Sequence, residues 1–167
     1  LDLRSGSLIE YSPDMYLTTR FPVTYDPNAR CPNIYRFMKT SFESDDDILT
    51  CLDLFVSLCR AKASGYFLTL VGPGGNGKKV LESIMMRFVG RDNYTTVRIN
   101  QLENDRFARQ EIMGKRLLIN SEVTGEKTES RWIKMIATGD AIDSDIKFKN
   151  GHVRFEPYCL QVFDTNL

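Results

Sequence analysis

No apolar run in this chain approaches the roughly 20 residues that a membrane-spanning helix needs, and no basic–apolar signal pattern opens it. A single histidine, His152, cannot build a metal centre. The four cysteines, Cys31, Cys51, Cys59 and Cys159, have neither zinc spacing nor the pattern of a disulfide framework. Cys51 and Cys59 fall in an apolar helical stretch and read as buried thiols. The cysteine usage points to a reducing, intracellular compartment. An excess of charge is missing too. Lys+Arg and Asp+Glu number 22 each, so nucleic-acid binding can rest only on local patches. There is no internal repeat and no low-complexity segment. What is left, 167 residues with 42% hydrophobic and 26% charged side chains, is an ordinary globular composition with enough chain for one cored domain.

The stretch Tyr66 to Val89, YFLTLVGPGGNGKKVLESIMMRFV, organises the rest. An apolar run leads into a glycine-rich turn, and Val80, Leu81, Ile84, Met85 and Phe88 then recur at helical spacing. Gly72-Pro73-Gly74-Gly75-Asn76-Gly77-Lys78 has the spacing of a phosphate-binding loop between strand and helix. Glycines let the backbone close on a polyphosphate, and successive N–H groups form an anion nest. The helix adds the positive end of its dipole, and Lys78 reaches the β- and γ-phosphates. The motif normally continues with Ser or Thr, whose hydroxyl binds Mg²⁺. Here Lys79 stands in that place. An ammonium cannot ligate a cation, so nucleotide binding is expected and metal-dependent hydrolysis is in question.

Before this stretch, Ser5-Gly6 suggests a β-hairpin, Ala29 to Met38 a helix, and Ser44 an N-cap followed by Asp45, Asp46 and Asp47 at the start of a second helix. After it, Tyr94 to Ile99 reads as a strand, Leu102 to Gln110 as a short polar helix, Leu117 to Ile119 as a buried parallel strand, and the stretch around Trp132 as a helix ended by Thr138-Gly139-Asp140. Asn150-Gly151 sits between two alternating arms, Ile146 to Phe155, and predicts a two-residue hairpin turn. Tyr158 to Phe163 is a further buried strand. The division expected is a pre-core segment over 1–62, a β-hairpin then helices, and a P-loop ATPase core over 63–167. The fold class is α/β, a parallel sheet flanked by helices, with the chemistry at the C-terminal ends of strands.

Two further features narrow the function. The strand 117–119 ends near Glu122, an acid able to polarise an attacking water, and the last strand leads to Asn166, whose amide can orient that water. Between them lie Lys147, Lys149, His152 and Arg154, a basic hairpin that by itself reads as a solvated turn.

Taken in order, these segments resemble superfamily 3 helicases, in particular the phage and plasmid primase-helicase family related to the poxvirus primase-helicase. The resemblance spans essentially the whole chain. The first 32 residues are similar to the segment before that family's core, GPGGNGK to its Walker A motif, GKRLLINSE to its Walker B region, KMIATGDAI with the later Phe148-Lys149 to its third motif, and FDTNL to the start of its last. It implies an AAA+-like core that uses ATP and Mg²⁺, with Gly72 to Lys79 around the nucleotide and Lys78 as a catalytic cation. It makes Glu122 the catalytic acid at the metal and Asn166 the γ-phosphate sensor. Lys147, Lys149, His152 and Arg154 become contacts to single-stranded or origin DNA. It also implies a homo-oligomeric, hexameric ring in the full-length protein, no membrane, and a cytoplasmic location, that of the host for a mobile-element product. The chain starts without Met and stops inside the last motif, so it reads as a core fragment, with the arginine finger beyond it. Besides Lys79, the departures are Ala137-Thr138-Gly139-Asp140 in place of Thr-Gly-Gly-Asp, and Asn120, which leaves one acid in the Walker B region. Lys79 favours a second reading, a nucleotide-binding but hydrolysis-deficient scaffold or regulatory module. A P-loop kinase is a third, and no second substrate site supports it.

Overall fold

The computed structural model of the chain describes residues 2, 4–120, 130–146 and 151–166. Two helices come first, α1 (Pro32–Ser41) and α2 (Asp45–Leu58), followed by strand β1 (Leu68–Val71) and helix α3 (Lys78–Val89). Next are β2 (Tyr94–Thr95), α4 (Ile99–Asn104) and β3 (Leu117–Asn120), then α5 (Ser130–Thr138). The antiparallel pair β4 (Ile142–Asp145) and β5 (His152–Phe155) precedes β6 (Leu160–Thr165). Strands β1, β6, β3 and β2 lie in that order in one sheet, parallel at every pairing. This is the expected α/β class.

Alternation along the two inner strands makes the layers. Leu117, Ile119, Leu160 and Val162 join one core with Met38 of α1, Leu54 and Leu58 of α2, and Leu81, Met85 and Val89 of α3. Leu118 and Phe163 join a second with Leu102, Ile112, Trp132, Ile136 and Ile142. Successive side chains on a strand point to opposite faces, so neighbours on β3 feed different cores. The first core draws on both sides of the expected division at residue 62. Gln161 is fully buried between the layers, and its amide Nε2 donates to the Ile133 carbonyl at 2.9 Å. All four cysteines are free, and burial pushes the Cys51 thiol up to about 11 and the Cys159 thiol up to about 12.

Helix α2 begins as its sequence demands. The Ser44 hydroxyl accepts from the Asp47 N–H at 3.1 Å, with three acids in the first turn. Ser44→Ala is expected to cost about 1 kcal/mol, read as a lowered midpoint in urea unfolding with an unchanged slope.

Several local expectations are corrected. Among the described residues no strand precedes β1, so the hairpin expected at Ser5-Gly6 is only a reversal, in which the Gly6 N–H donates to Asp2 and the Asp2 N–H to Ser7. The strand expected over 94–99 stops at Thr95, because the Asn120 side-chain oxygen accepts from the Ile99 N–H at 3.0 Å and α4 starts there. The second hairpin has another register. Its first arm is Ile142–Asp145, with Asp145 opposite His152, and Asn150 of the expected turn lies outside the described residues. Burial of Ile142 and Ser144 selects this arm, and the Ser144 hydroxyl donates to the Arg106 carbonyl at 2.8 Å.

Candidate functional site

The loop from Gly72 to Gly77 joins the C-terminal end of β1 to the N-terminus of α3. Gly77 caps the helix with φ of 94°, in the half of backbone space that a side chain strongly disfavours. A Cβ there would also stand 2.8 Å from Cε2 of Phe37 and 3.2 Å from Oγ of Ser41, so α1 packs directly on the loop. At Gly72 a Cβ would run into the Asn76 amide. The Lys78 ammonium folds back over the loop and donates to the carbonyls of Gly72 (2.7 Å) and Pro73 (3.0 Å) and to Oδ1 of Asn76 (3.1 Å). The expected residues 72–78 are therefore brought together, with a cation centred on a ring of backbone at a helix N-terminus. A phosphate is the ligand that such a cradle takes. Beside it a cleft of about 500 Å³, lined by Phe37, Phe42, Cys51, Leu54, Leu68 and Lys78 among others, opens between β1 and the two first helices. It offers mostly apolar walls to a planar base.

Lys79 points elsewhere. Its ammonium lies 3.0 Å from Oδ2 of Asp164 and 3.4 Å from Oε2 of Glu82. Both carboxylates are buried. Burial works against the charge on Lys79, but the hydrogen bond to Asp164 and the charges of Glu82 and Asp164 outweigh it and raise its pKa. Glu82 and Asp164 were not among the residues expected from sequence. The signal was available: Glu82 is one helical turn after Lys79, and Asp164 has the parity of Leu160 and Val162, the side of β6 that faces α3.

These observations also test the residues against Mg²⁺. Position 79 supplies an ammonium in place of a lone-pair donor, and the carboxylates of Glu82 and Asp164 hold it. Among the described residues no group of three His, Cys, Asp or Glu converges for a metal ion. The described residues do not fit a protein-held Mg²⁺. Glu122, the acid expected at the metal, lies outside them.

Asn166 is exposed, two residues beyond Asp164 at the mouth of the sheet. Lys147 and Lys149 lie outside the described residues. His152 and Arg154 are exposed on β5, opposite Asp145 and Asp143. The His152 Nδ1 is 2.5 Å from Oδ1 of Asp145, whose Oδ2 meets Nε of Arg106 at 2.6 Å. The described strands of the ribbon therefore set one permanent cation, Arg154, against two acids, Asp143 and Asp145.

A parallel sheet flanked by helices with a glycine loop at the head of α3 defines the P-loop NTPase class. Residues 70–167 match the model of a family described as a family of unknown function (DUF5906), and the chain belongs to that family. Among solved structures it is similar to the C-terminal region of NrS-1, with a TM-score of 0.66 at 15% identity over 95% of this chain. A second structure of that region, 305–718, gives 0.65 at 14% identity over 95% of this chain. A JCV helicase gives 0.51 at 12% identity over 78% of this chain and 42% of its own. The fold is thus helicase-like. The chain spans 37% of the NrS-1 region it matches. Among the described residues no helix is long and apolar enough to cross a membrane.

Proposed function

We propose that this chain is the ATP-binding motor core of a DNA helicase of superfamily 3, from the phage and plasmid primase-helicase group. The observation that carries the reading is the Lys78 ammonium centred on the glycine loop at the head of α3, beside a mostly apolar cleft with room for a base. On binding, the triphosphate oxygens take over the donors that Lys78 gives to Gly72, Pro73 and Asn76, and the base enters the cleft against Phe37. Glu122 accepts the proton of the water that attacks the γ-phosphorus, and Asn166 orients that water. The reading includes a ring of copies around single-stranded DNA and a cytoplasmic location. The helicase-like fold supports it.

A second reading is nucleotide binding without turnover, favoured by the Lys79–Asp164 ion pair at the position of the motif's hydroxyl. A phosphate-release assay with single-stranded DNA separates the two. DNA-stimulated release supports the motor. Tight binding with no release supports the scaffold.

The DNA path in this reading runs through Lys147 and Lys149, because Asp143 lies opposite Arg154 and Asp145 opposite His152. Each phosphate neutralised on a single strand contributes about −0.7 to the slope of log affinity against log salt. Lys147→Ala with Lys149→Ala is expected to flatten that slope by roughly 1 to 1.5, equally for all sequences. Anisotropy of labelled single-stranded DNA across a salt series measures it, and an unchanged slope moves the DNA path elsewhere.

A further inference from the structure

The glycine loop sits at the C-terminal end of β1. The opposite end of the sheet, where the parallel strands begin, has another character. Separate segments of the chain meet there at Arg116, the residue before β3. Its N–H donates to the Asn93 carbonyl at 2.7 Å, and its guanidinium lies 5.0 Å from the centre of the Tyr158 ring. Its charge reaches the Cys59 thiol, where burial pushes the pKa up and the guanidinium pulls against it. Asn93 donates from Nδ2 to the Arg20 carbonyl at 2.8 Å, and Nζ of Lys115 donates to the Asp92 carbonyl at 2.6 Å. Arg20, Arg60, Arg91, Lys115 and Arg116 are gathered at one end of the sheet by these contacts. We propose that this end is a second nucleic-acid surface, which takes the phosphate backbone of a single strand. The choice of a single strand rests on the helicase reading above, and the charge does not.

Charge without partners carries the inference. The segments 20–22, 59–60, 91–93, 115–116 and 156–158 hold five cations against two acids, Asp92 and Glu156, in a chain of zero net charge. Arg20, Arg60 and Arg91 are exposed. Among the described residues none of the five cations takes part in an ion pair. Nε and Nη1 of Arg116 are buried without an acceptor, so no described group neutralises this charge and its field reaches the surface. Four of the five are arginines, whose flat, forked guanidinium matches a phosphate better than an ammonium does. Helix dipoles attract cations within the last turn. Arg60 and Arg91 each lie two residues beyond the ends of α2 and α3, so that attraction does not account for them.

The test is anisotropy of a labelled oligothymidylate strand on the full chain across a salt series. Each phosphate neutralised contributes about −0.7 to the slope, so Arg60→Gln with Arg91→Gln is expected to flatten it by about 1.4. Arg60→Lys with Arg91→Lys keeps both charges and is expected to keep the slope. ATP binding is expected to be unchanged in both, because the glycine loop lies roughly 13 Å away at the other end of the strands. If the glutamine pair does not fold by circular dichroism, Arg91→Gln alone decides, with a flattening of about 0.7. An unchanged slope in a folded variant overturns the inference. Polyglutamate that competes as well as the strand also overturns it and makes this a surface for acidic proteins. A duplex that binds more tightly than the strand overturns the assignment to a single strand. A flattened slope in a chain that fails to bind ATP supports the surface and removes the nucleotide reading alone.

Discussion

Lys78→Met is expected to weaken ATP binding by at least about a hundredfold, because charge-assisted hydrogen bonds contribute about 1.5–3 kcal/mol each and this ammonium can give two to a triphosphate. Methionine keeps the aliphatic stem, so the variant removes the charge with little change in packing. The ammonium also braces the loop through Gly72, Pro73 and Asn76. Its loss therefore loosens the cradle as well as removing a ligand. The measurement is titration of a fluorescent triphosphate, with circular dichroism to show that the fold persists. Unchanged affinity would reduce the loop to a turn.

The second large effect is expected at Gly77. Gly77→Ala forces a side chain into a backbone region that costs about 1–2 kcal/mol and drives it into Phe37 and Ser41, where overpacking costs about 1–3 kcal/mol more. Together these predict a loss of about 2–5 kcal/mol and a fall in Tm of roughly 5–15 °C, with loss of nucleotide binding. The clash predicts a specific partner. In a double-mutant cycle, Phe37→Ala is expected to relieve part of the damage, so that the double variant is less destabilised than the sum of the single ones. Additive losses would mean that the strain lies in the backbone alone.

How far the sequence reaches can be followed residue by residue. The glycine loop, the start of α2 and the inner strands were visible because their causes are local. They are a glycine pattern, a serine followed by acids, and short runs of apolar residues. The register of the second hairpin was not, because Asn150-Gly151 is a strong local turn signal and the burial of Ile142 and Ser144 overrides it. The early end of β2 depends on Asn120, far along the chain, which caps α4. At the site, residues 72–78 were expected together and are together. Asp164 is not legible locally because its partner is on another element, and only the parity of β6 links them. Phe37 and Ser41 beneath Gly77 come from a helix that reads as an ordinary amphipathic segment, and nothing in its composition points to the loop.

The order of strands has a consequence for how the chain acquires its structure. β6 is the last of the described strands and lies between β1 and β3, with Leu68 paired to Val162 and Ile119 also paired to Val162. Pairings between residues so far apart close late, since the entropy of the intervening chain is spent before the contact forms. During synthesis β1 and its glycine loop emerge after α1 and α2, and β1 waits without a strand beside it until β6 is made. Insertion of β6 joins the two halves of the sheet and brings Asp164 up to Lys79 in the same event. The completed sheet and the ion pair beside the loop thus form together, and a nascent chain that has not yet released β6 holds Lys79 without Asp164.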